Sequence, residues 1–269
     1  MPLFDSHAHF APPPEEAAAD VLARAAAAGV TGVLAVGGDS AANEGARAAA
    51  QCGAAAVSVR LAWGFDCAQS APGAGDWAAL AAARPLLSAI GEIALDATRS
   101  AVPQGIQIET LRRQLELARE WDLPVSLHTR GADAETLAAL DSVQPRTGGL
   151  RGSVHCFTGG TGFERALLDR GFCIGISGIV SFNRGANVRE AAAYCPAGRL
   201  LVETDSPFLA PVPLRGSRNE PANVALVAAA VARARGEPPE LVAETSARNA
   251  ESLFPPAPRP AAPHLPATA

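Results

Sequence analysis

The 269-residue chain is 48% hydrophobic and 18% charged, which excludes a disordered segment and allows a large buried core. Its length suits one α/β barrel of about 250 residues without a second domain. A formal net charge of −5 excludes the broad basic surface that holds proteins on nucleic acid by electrostatics alone, so local groups must grip any such substrate.

In chain order, an apolar run from Pro2 to His7 predicts a strand, followed by a helical stretch from Glu15 to Ala28. The alternation continues with Val30 to Val36 and Ser40 to Cys52, Ala56 to Trp63 and Asp76 to Ala83, then Leu87 to Leu95 and Ile106 to Trp121. Leu123 to His128 precedes Ala134 to Ser142, Gly152 to Phe157 precedes Thr161 to Arg170, and Phe172 to Gly178 precedes Asn187 to Tyr194. Arg199 to Asp205 is the eighth strand run. Phe208 to Asn219, with its prolines and Arg215 and Arg218, reads as an ordered loop before a helix beginning near Asn223. Residues 1–254 form the expected single domain, and the Pro/Ala-rich residues 255–269 a flexible tail.

Eight strands too apolar to leave a face in water, each followed by a helix, imply a parallel sheet covered by helices and closed into a (β/α)8 barrel. A doubly wound open sheet fits less well. No G-x-G-x-x-G follows the first strand, and polar residues sit at many strand ends rather than at one crevice. The five cysteines are odd in number, scattered and never spaced C-x-x-C, which argues against a disulfide frame or a zinc-cysteine knuckle. With no leader pattern after Met1 and no apolar run of membrane-spanning length, the expected compartment is the cytoplasm.

Four of the five histidines fall at predicted strand ends: His7 and His9 at the first, His128 at the fifth and His155 at the sixth. Barrel enzymes build their sites at the C-terminal strand ends, where side chains distant in sequence converge. His7 and His9 point the same way along an extended strand, which makes a metal-binding pair. Glu92 and Asp205 are carboxylates embedded in apolar strand runs. An unpaired buried charge costs on the order of several kcal/mol, so a cation is expected beside each. A lone strand-end histidine is more often a hydrogen-bonded structural residue. Four of them, including a His-x-His pair, with only His264 elsewhere, favour a metal site over coincidence. Imidazole and carboxylate together suit Zn, Mn, Fe or Ni, and with more water Mg. Asp96 and Glu203 are read as groups that orient the ligands, or as ion-pair partners of Arg99 or Arg130. Asp5, with the parity of His7 and His9, is read as a hydrogen-bonding cap inside the barrel.

These residues lie in separated blocks that resemble the TatD family of metal-dependent deoxyribonucleases among the amidohydrolase-like barrels. The blocks are Asp5-Ser6-His7-Ala8-His9, the Gly-Glu-Ile-x-Leu-Asp run ending at Asp96, Pro124 to Arg130, His155 to Gly159, Glu203 to Pro207, Arg218 to Pro221, and Asn249 to Phe254. The resemblance covers nearly the whole chain and implies a TIM barrel of the metallo-dependent hydrolase type holding two divalent ions, such as Mg, Mn or Zn. It implies His7, His9 and Asp205 on one ion, His128 and His155 on the second, and Glu92 bridging them. It further implies phosphodiester hydrolysis, typically trimming DNA from the 3′ end.

In that chemistry Glu92 and Asp205 are the catalytic carboxylates, with Asp205 placed to take the proton of the attacking water. Arg130, Arg215 and Arg218, in loops after the fifth and eighth strands, suit phosphate oxygens, though each could equally serve a surface ion pair. The chain departs from its relatives at three places: Ala11 and Ala97 stand where aspartate and tyrosine are common, and Gly64-Phe65-Asp66-Cys67 replaces a Gly-x-His-Pro segment. An aspartate at the substrate mouth repels phosphate. Two alternatives therefore stand beside DNA hydrolysis: an ester or amide hydrolase on the same barrel, and a catalytically weak metal-binding scaffold. No membrane or obligate protein partner is indicated.

Overall fold

Apolar runs buried on both faces need partners on both edges, and the strands supply them by pairing in parallel in chain order. They are β1 (Leu3–Ala8), β2 (Val30–Gly38), β3 (Ser58–Phe65), β4 (Ala89–Asp96), β5 (Val125–Arg130), β6 (Gly152–Val154), β7 (Cys173–Ile176) and β8 (Leu200–Val202). The computed structural model describes residues 2–10, 17–52, 56–143 and 149–257. β1 meets β8 through a parallel bridge between Ala8 and Ser206, reinforced by Asp205 N–H to the His7 carbonyl at 2.9 Å and His9 N–H to the Ser206 carbonyl at 2.8 Å. The sheet thereby closes into the expected (β/α)8 barrel.

The outer layer comprises α1 (Ala18–Ala27), α2 (Ser40–Gln51), α3 (Trp77–Ala83), α4 (Gln104–Trp121), α5 (Asp133–Val143), α6 (Thr161–Asp169), α7 (Ala186–Tyr194), α8 (Val224–Arg235) and α9 (Pro239–Leu253). Local chemistry sets several of these ends. Asp39 caps α2 by accepting the Ala42 N–H at 2.7 Å, and Asp76 caps α3 through Ala79 N–H at 2.9 Å.

Differences from the sequence reading have local causes. β6, β7 and β8 stop two or three residues before the ends of their apolar runs, at Val154, Ile176 and Val202. Cys156 (φ 44°) and Asp205 (φ 56°) take left-handed backbone, which ends a strand and turns the following side chains over the barrel mouth. The helix expected near Asn223 proves to be two, because Gly236 at φ 68° closes α8 and Pro238 precedes α9. The start of the first expected helix, Ala11, and most of the expected tail with His264 lie outside the described residues.

Phe4, Leu34, Ala62, Ala89, Cys173 and Leu201, from six strands, meet Ala247, Leu253 and Phe254 of α9 in one buried cluster. α9 thus plugs the barrel at the end where β1 begins, opposite the histidines. No helix among the described residues is long and apolar enough to cross a membrane.

One buried group works against the fold. Glu164 on α6 is fully buried and neither carboxylate oxygen has a hydrogen-bond partner among the described residues. Burial first, and then the charge of Glu190, push its pKa up to about 7. The folded chain therefore binds this proton more tightly than the unfolded chain, and stability falls as pH rises from the ordinary glutamate range through 7. Glu164→Gln is expected to raise the melting temperature by roughly 3–8 °C at pH 8 and to lose that advantage by pH 5. Thermal melts of both proteins across this range check it.

Candidate metal centre

The mouth of the barrel is assembled around one carboxylate. Glu92 stands where the pairing of β4 with β5 slips between Ile90 and Ile93, a bulge that re-aims the side chain. Only glycine fits before it, since a Cβ at Gly91 would sit 2.8 Å from the Ser126 Cβ. The two Glu92 oxygens face different histidine pairs. Oε2 lies 3.7 Å from His7 Nε2 and 3.6 Å from His9 Nε2, while Oε1 lies 3.2 Å from His155 Nε2 and 3.5 Å from His128 Nδ1.

Each pair brings its ring nitrogens together. His7 Nε2 and His9 Nε2 are 3.2 Å apart, as are His128 Nδ1 and His155 Nε2. His9 Nδ1 lies 3.0 Å from the Val36 carbonyl, which only accepts, so its Nε2 presents a lone pair when the ring is neutral. His7 Nδ1 is likewise engaged by Ser126 Oγ at 3.0 Å. Two facing lone pairs repel unless a cation or proton lies between them. Two nitrogens each about 2.0–2.1 Å from one tetrahedral ion stand roughly 3.3 Å apart, so the spacing suits a shared metal. Asp205 Oδ1 lies 3.6 Å from His9 Nε2. Two groups of three offer mutually close ligand atoms: His7, Glu92 and His155, and His7, His9 and Asp205. His7 and His155 stack with ring centroids 3.7 Å apart.

The electrostatics express the same need for positive charge. Burial opposes ionisation of Glu92, but His155, His7 and His128 outweigh it and hold the carboxyl well below its usual range. Asp205 is also lowered, with burial overcome by His9 and the neighbouring imidazoles. Burial penalises charge on His155, yet Glu92 and Glu203 push its pKa well above the ordinary histidine value. His7, deepest among the imidazoles, is driven down to about 4 by burial and by the charge of His155.

The groups expected to orient ligands lie behind them. Asp96 accepts the Thr98 and Arg99 backbone N–H groups on Oδ1 and leaves Oδ2 3.6 Å from His128 Nε2, so it meets the Arg99 backbone and not its guanidinium. Glu203 is fully buried, accepts the Cys156 N–H and stands 3.7 Å from His155 Nδ1. Room for it exists only because residue 175 is glycine: a Cβ there would lie 2.3 Å from Glu203 Oε2. Asp5 accepts the Thr204 N–H at 2.8 Å and pairs with the Thr204 hydroxyl, the buried cap that its parity predicts.

The arginines divide. Arg130 is partly buried at the end of β5, near enough to His128 for its charge to lower that pKa, and its guanidinium has no ion-pair partner among the described residues. Arg215 and Arg218 occupy the exposed β8–α8 loop. Arg215 stacks on Phe182 at 4.4 Å, and Arg218 lines a cleft of about 690 Å³ shared with His9, Arg24 and Arg47. Asp66 uses Oδ1 to accept the Ala68 and Gln69 N–H groups, both at 2.9 Å, which builds the turn after β3. Burial, partly offset by Gln69 N–H, and the nearby charge of Glu92 raise its pKa.

Two neighbours escaped the sequence reading. Ser126 shares the parity of His128 on β5, a signal that was available, and it engages His7. Phe208 is 60% exposed with its ring centroid 6.2 Å from that of His9, and its apolar character alone gave no hint of that position.

The family model for TatD related DNases matches residues 4–255. Over 241 residues, 87% of this chain and 92% of its relative, the chain is 38% identical to the 3′-5′ ssDNA/RNA exonuclease TatD of Citrobacter koseri. It is 43% identical over 166 residues, 62% of each protein, to the uncharacterized metal-dependent hydrolase YcfH of Escherichia coli. The crystal structure of YJJV, a TatD homolog from Escherichia coli, superposes with a TM-score of 0.81 at 27% identity, covering 94% of this chain and 97% of that one. With that family model matching from β1 to the end of α9, the chain belongs to the TatD related DNases.

Proposed function

We propose that this chain is a metal-dependent phosphodiesterase that removes nucleotides from the 3′ end of single-stranded nucleic acid, using two divalent ions in the cytoplasm. The observation that carries the reading is Glu92, whose two oxygens each face a separate pair of imidazole nitrogens. His7, His9 and Asp205 would hold one ion, His128 and His155 the other, and Glu92 would bridge them. The activities named for the Citrobacter koseri and Escherichia coli relatives support the substrate class and the metal dependence. Five free cysteines suit a reducing compartment.

When bound, the ions supply Lewis-acid charge that acidifies the attacking water and stabilises the departing oxygen. The chain contributes position and proton transfer. Asp205, held ionised by His9 and its neighbours, accepts the water's proton on the carboxylate. The fixed tautomer of His9, set by the Val36 carbonyl, keeps Nε2 turned toward the centre. Asp96 and Glu203 stand at the outer nitrogens of His128 and His155 and hold those rings in orientation. Arg130 receives a non-bridging phosphate oxygen at the rim.

Asp66 favours a second reading, hydrolysis of a less anionic ester, because a carboxylate at the mouth disfavours phosphate. Its capping bonds withdraw one oxygen from that role and leave the other.

Three outcomes are expected. Glu92→Gln lowers turnover of single-stranded DNA by about 10²–10⁴-fold with unchanged circular dichroism; retained activity in that variant would rule out the bridging role. Glu203→Gln weakens metal binding by roughly 10–100-fold, read by calorimetry on the metal-free protein. Asp66→Asn preserves the turn and removes the charge, so KM for DNA falls several-fold at low salt and the gain shrinks as salt rises. Turnover of 5′- and 3′-labelled oligonucleotides with Mg, Mn and Zn in turn tests polarity and metal together.

A further inference from the structure

Phe208 is the most exposed of the large apolar side chains among the described residues, at 60%, yet it stands at the rim of the most polar part of the molecule. Exposed aromatic surface gains nothing from folding, so its presentation calls for another cause.

The backbone beneath it is fixed. Phe208 N–H donates to the Asp205 carbonyl at 2.9 Å, and its own carbonyl accepts from Asn219 Nδ2 at 2.7 Å. Asn219 is 2% exposed and also donates to the Thr204 carbonyl at 2.9 Å, tying the loop to the strand end that carries Asp205. Leu209, at φ 54°, turns the chain back so that Ala210 and Pro211 bury themselves. On the far side the Leu209 carbonyl packs so closely on Gly178 that a Cβ there would lie 2.2 Å away. The ring is therefore offered from a rigid support, its centroid 6.2 Å from His9 and its plane tilted 68° to that imidazole. Beside it the cleft lined by Arg47 and Arg218 opens from His9, Ser206 and Pro207.

We infer that Phe208 is a stacking platform for a nucleobase at the 3′ end of the strand, next to the scissile phosphate. This rests on the reading that single-stranded nucleic acid is the substrate. With its centroid 6.2 Å from that of His9, the ring stands within one nucleotide's reach of a phosphate held at the candidate metal ligands. Every base has a π face, so such a platform binds without selecting sequence. Inside a duplex a base is paired at its edge and stacked on both faces, so bringing it onto the ring costs pairing and stacking that a single strand does not lose, and the platform favours single strands. A ring on a preordered backbone loses only side-chain freedom on binding, which distinguishes it from an aromatic on a loose loop.

The test compares single-stranded oligonucleotides bearing a normal nucleotide or an abasic one at each of the two 3′-terminal positions. For the native protein the specificity constant for the normal strand exceeds that for the abasic strand at one of these positions by about 5- to 100-fold, mainly through KM. Phe208→Ala collapses this ratio toward one, Phe208→Leu collapses it nearly as far, and Phe208→Trp retains it. An equal ratio in native and Phe208→Ala proteins overturns the inference. So does an unchanged ratio accompanied by loss of self-association in Phe208→Ala, which assigns the ring to contacts between copies. If the native protein cleaves neither strand, the hydrolase reading fails separately, and Phe208→Trp fluorescence decides the platform alone. Stronger quenching by the normal strand than by the abasic strand upholds it, and equal quenching overturns it.

Discussion

Between Asp5 and Ser206 the barrel is sealed half by backbone and half by side chains. β8 contributes only Leu200–Val202 to regular pairing, so the closing contacts fall to the residues beyond it. Asp205 N–H and the His7 carbonyl, His9 N–H and the Ser206 carbonyl, and the Asp5 carboxyl with Thr204 together zip β1 to the eighth strand's continuation. Burial, offset in part by Thr204, lifts the Asp5 pKa to about 8, so near neutral pH this group is mostly an uncharged hydrogen-bonding post. A full charge there would face Glu203 with no cation beside it. The same contacts that close the barrel place Asp205 against His9. Fold closure and assembly of the centre are therefore one event, and a defect in the seam damages both.

The second constraint is charge. Glu92, Asp205, Glu203 and Asp96 gather around four imidazoles in a space largely shut from water. Without a metal the positive charge nearest Glu92 is a proton on an imidazole, and the pKa values of His155 and His9 are both raised by the surrounding carboxylates. Such a cluster is poorly compensated by protons alone, because burial penalises a charged ring and neighbouring charged rings repel, and in that order the two depress the pKa of His7. Metal ions would relieve that conflict, which accounts for acids and histidines gathered here with no arginine among the described residues in an ion pair with Glu92.

Alternation of apolar runs with helical stretches was enough to read eight strands, the closed barrel and the strand-end position of the histidines, since all three follow from period and burial. His7 and His9 share a face by parity, and Ser126 could have been found by the same argument from His128. Other features were illegible for definite reasons. The early ends of β6 and β8 come with left-handed backbone at Cys156 and Asp205; cysteine has no local preference for it, and the mild preference of aspartate does not mark one position. The bulge that turns Glu92 inward arises from pairing with β5, a partner distant in sequence. The separation of α8 from α9 was legible in Gly236 and Pro238, whereas the role of α9 as the barrel's plug depends on packing into a cluster drawn from strands distant in sequence. Arg215 and Arg218 looked equivalent to Arg130 in sequence, and only the path of the β8–α8 loop separates them.

Rigidity at the mouth comes from amides rather than from the strands. Gln114 of α4 brackets Phe65 through its N–H and carbonyl, and Gln107 does the same for Asp96. Asn43 joins the Gly38 N–H to the Gly64 carbonyl, and Asn219 spans the loop beneath Phe208. Each buried amide satisfies backbone groups just where a strand stops and its ladder partners run out, leaving groups that would otherwise need water. A mouth braced in this way holds its backbone before substrate arrives, so Asp66 cannot swing clear of an incoming phosphate without breaking its own turn, and the backbone at Phe208 cannot shift without breaking its bonds to Asp205 and Asn219. The departure at Asp66 and the exposure of Phe208 are consequently fixed properties of the entrance. They bear on what enters, while the histidines and carboxylates beneath bear on what is done to it.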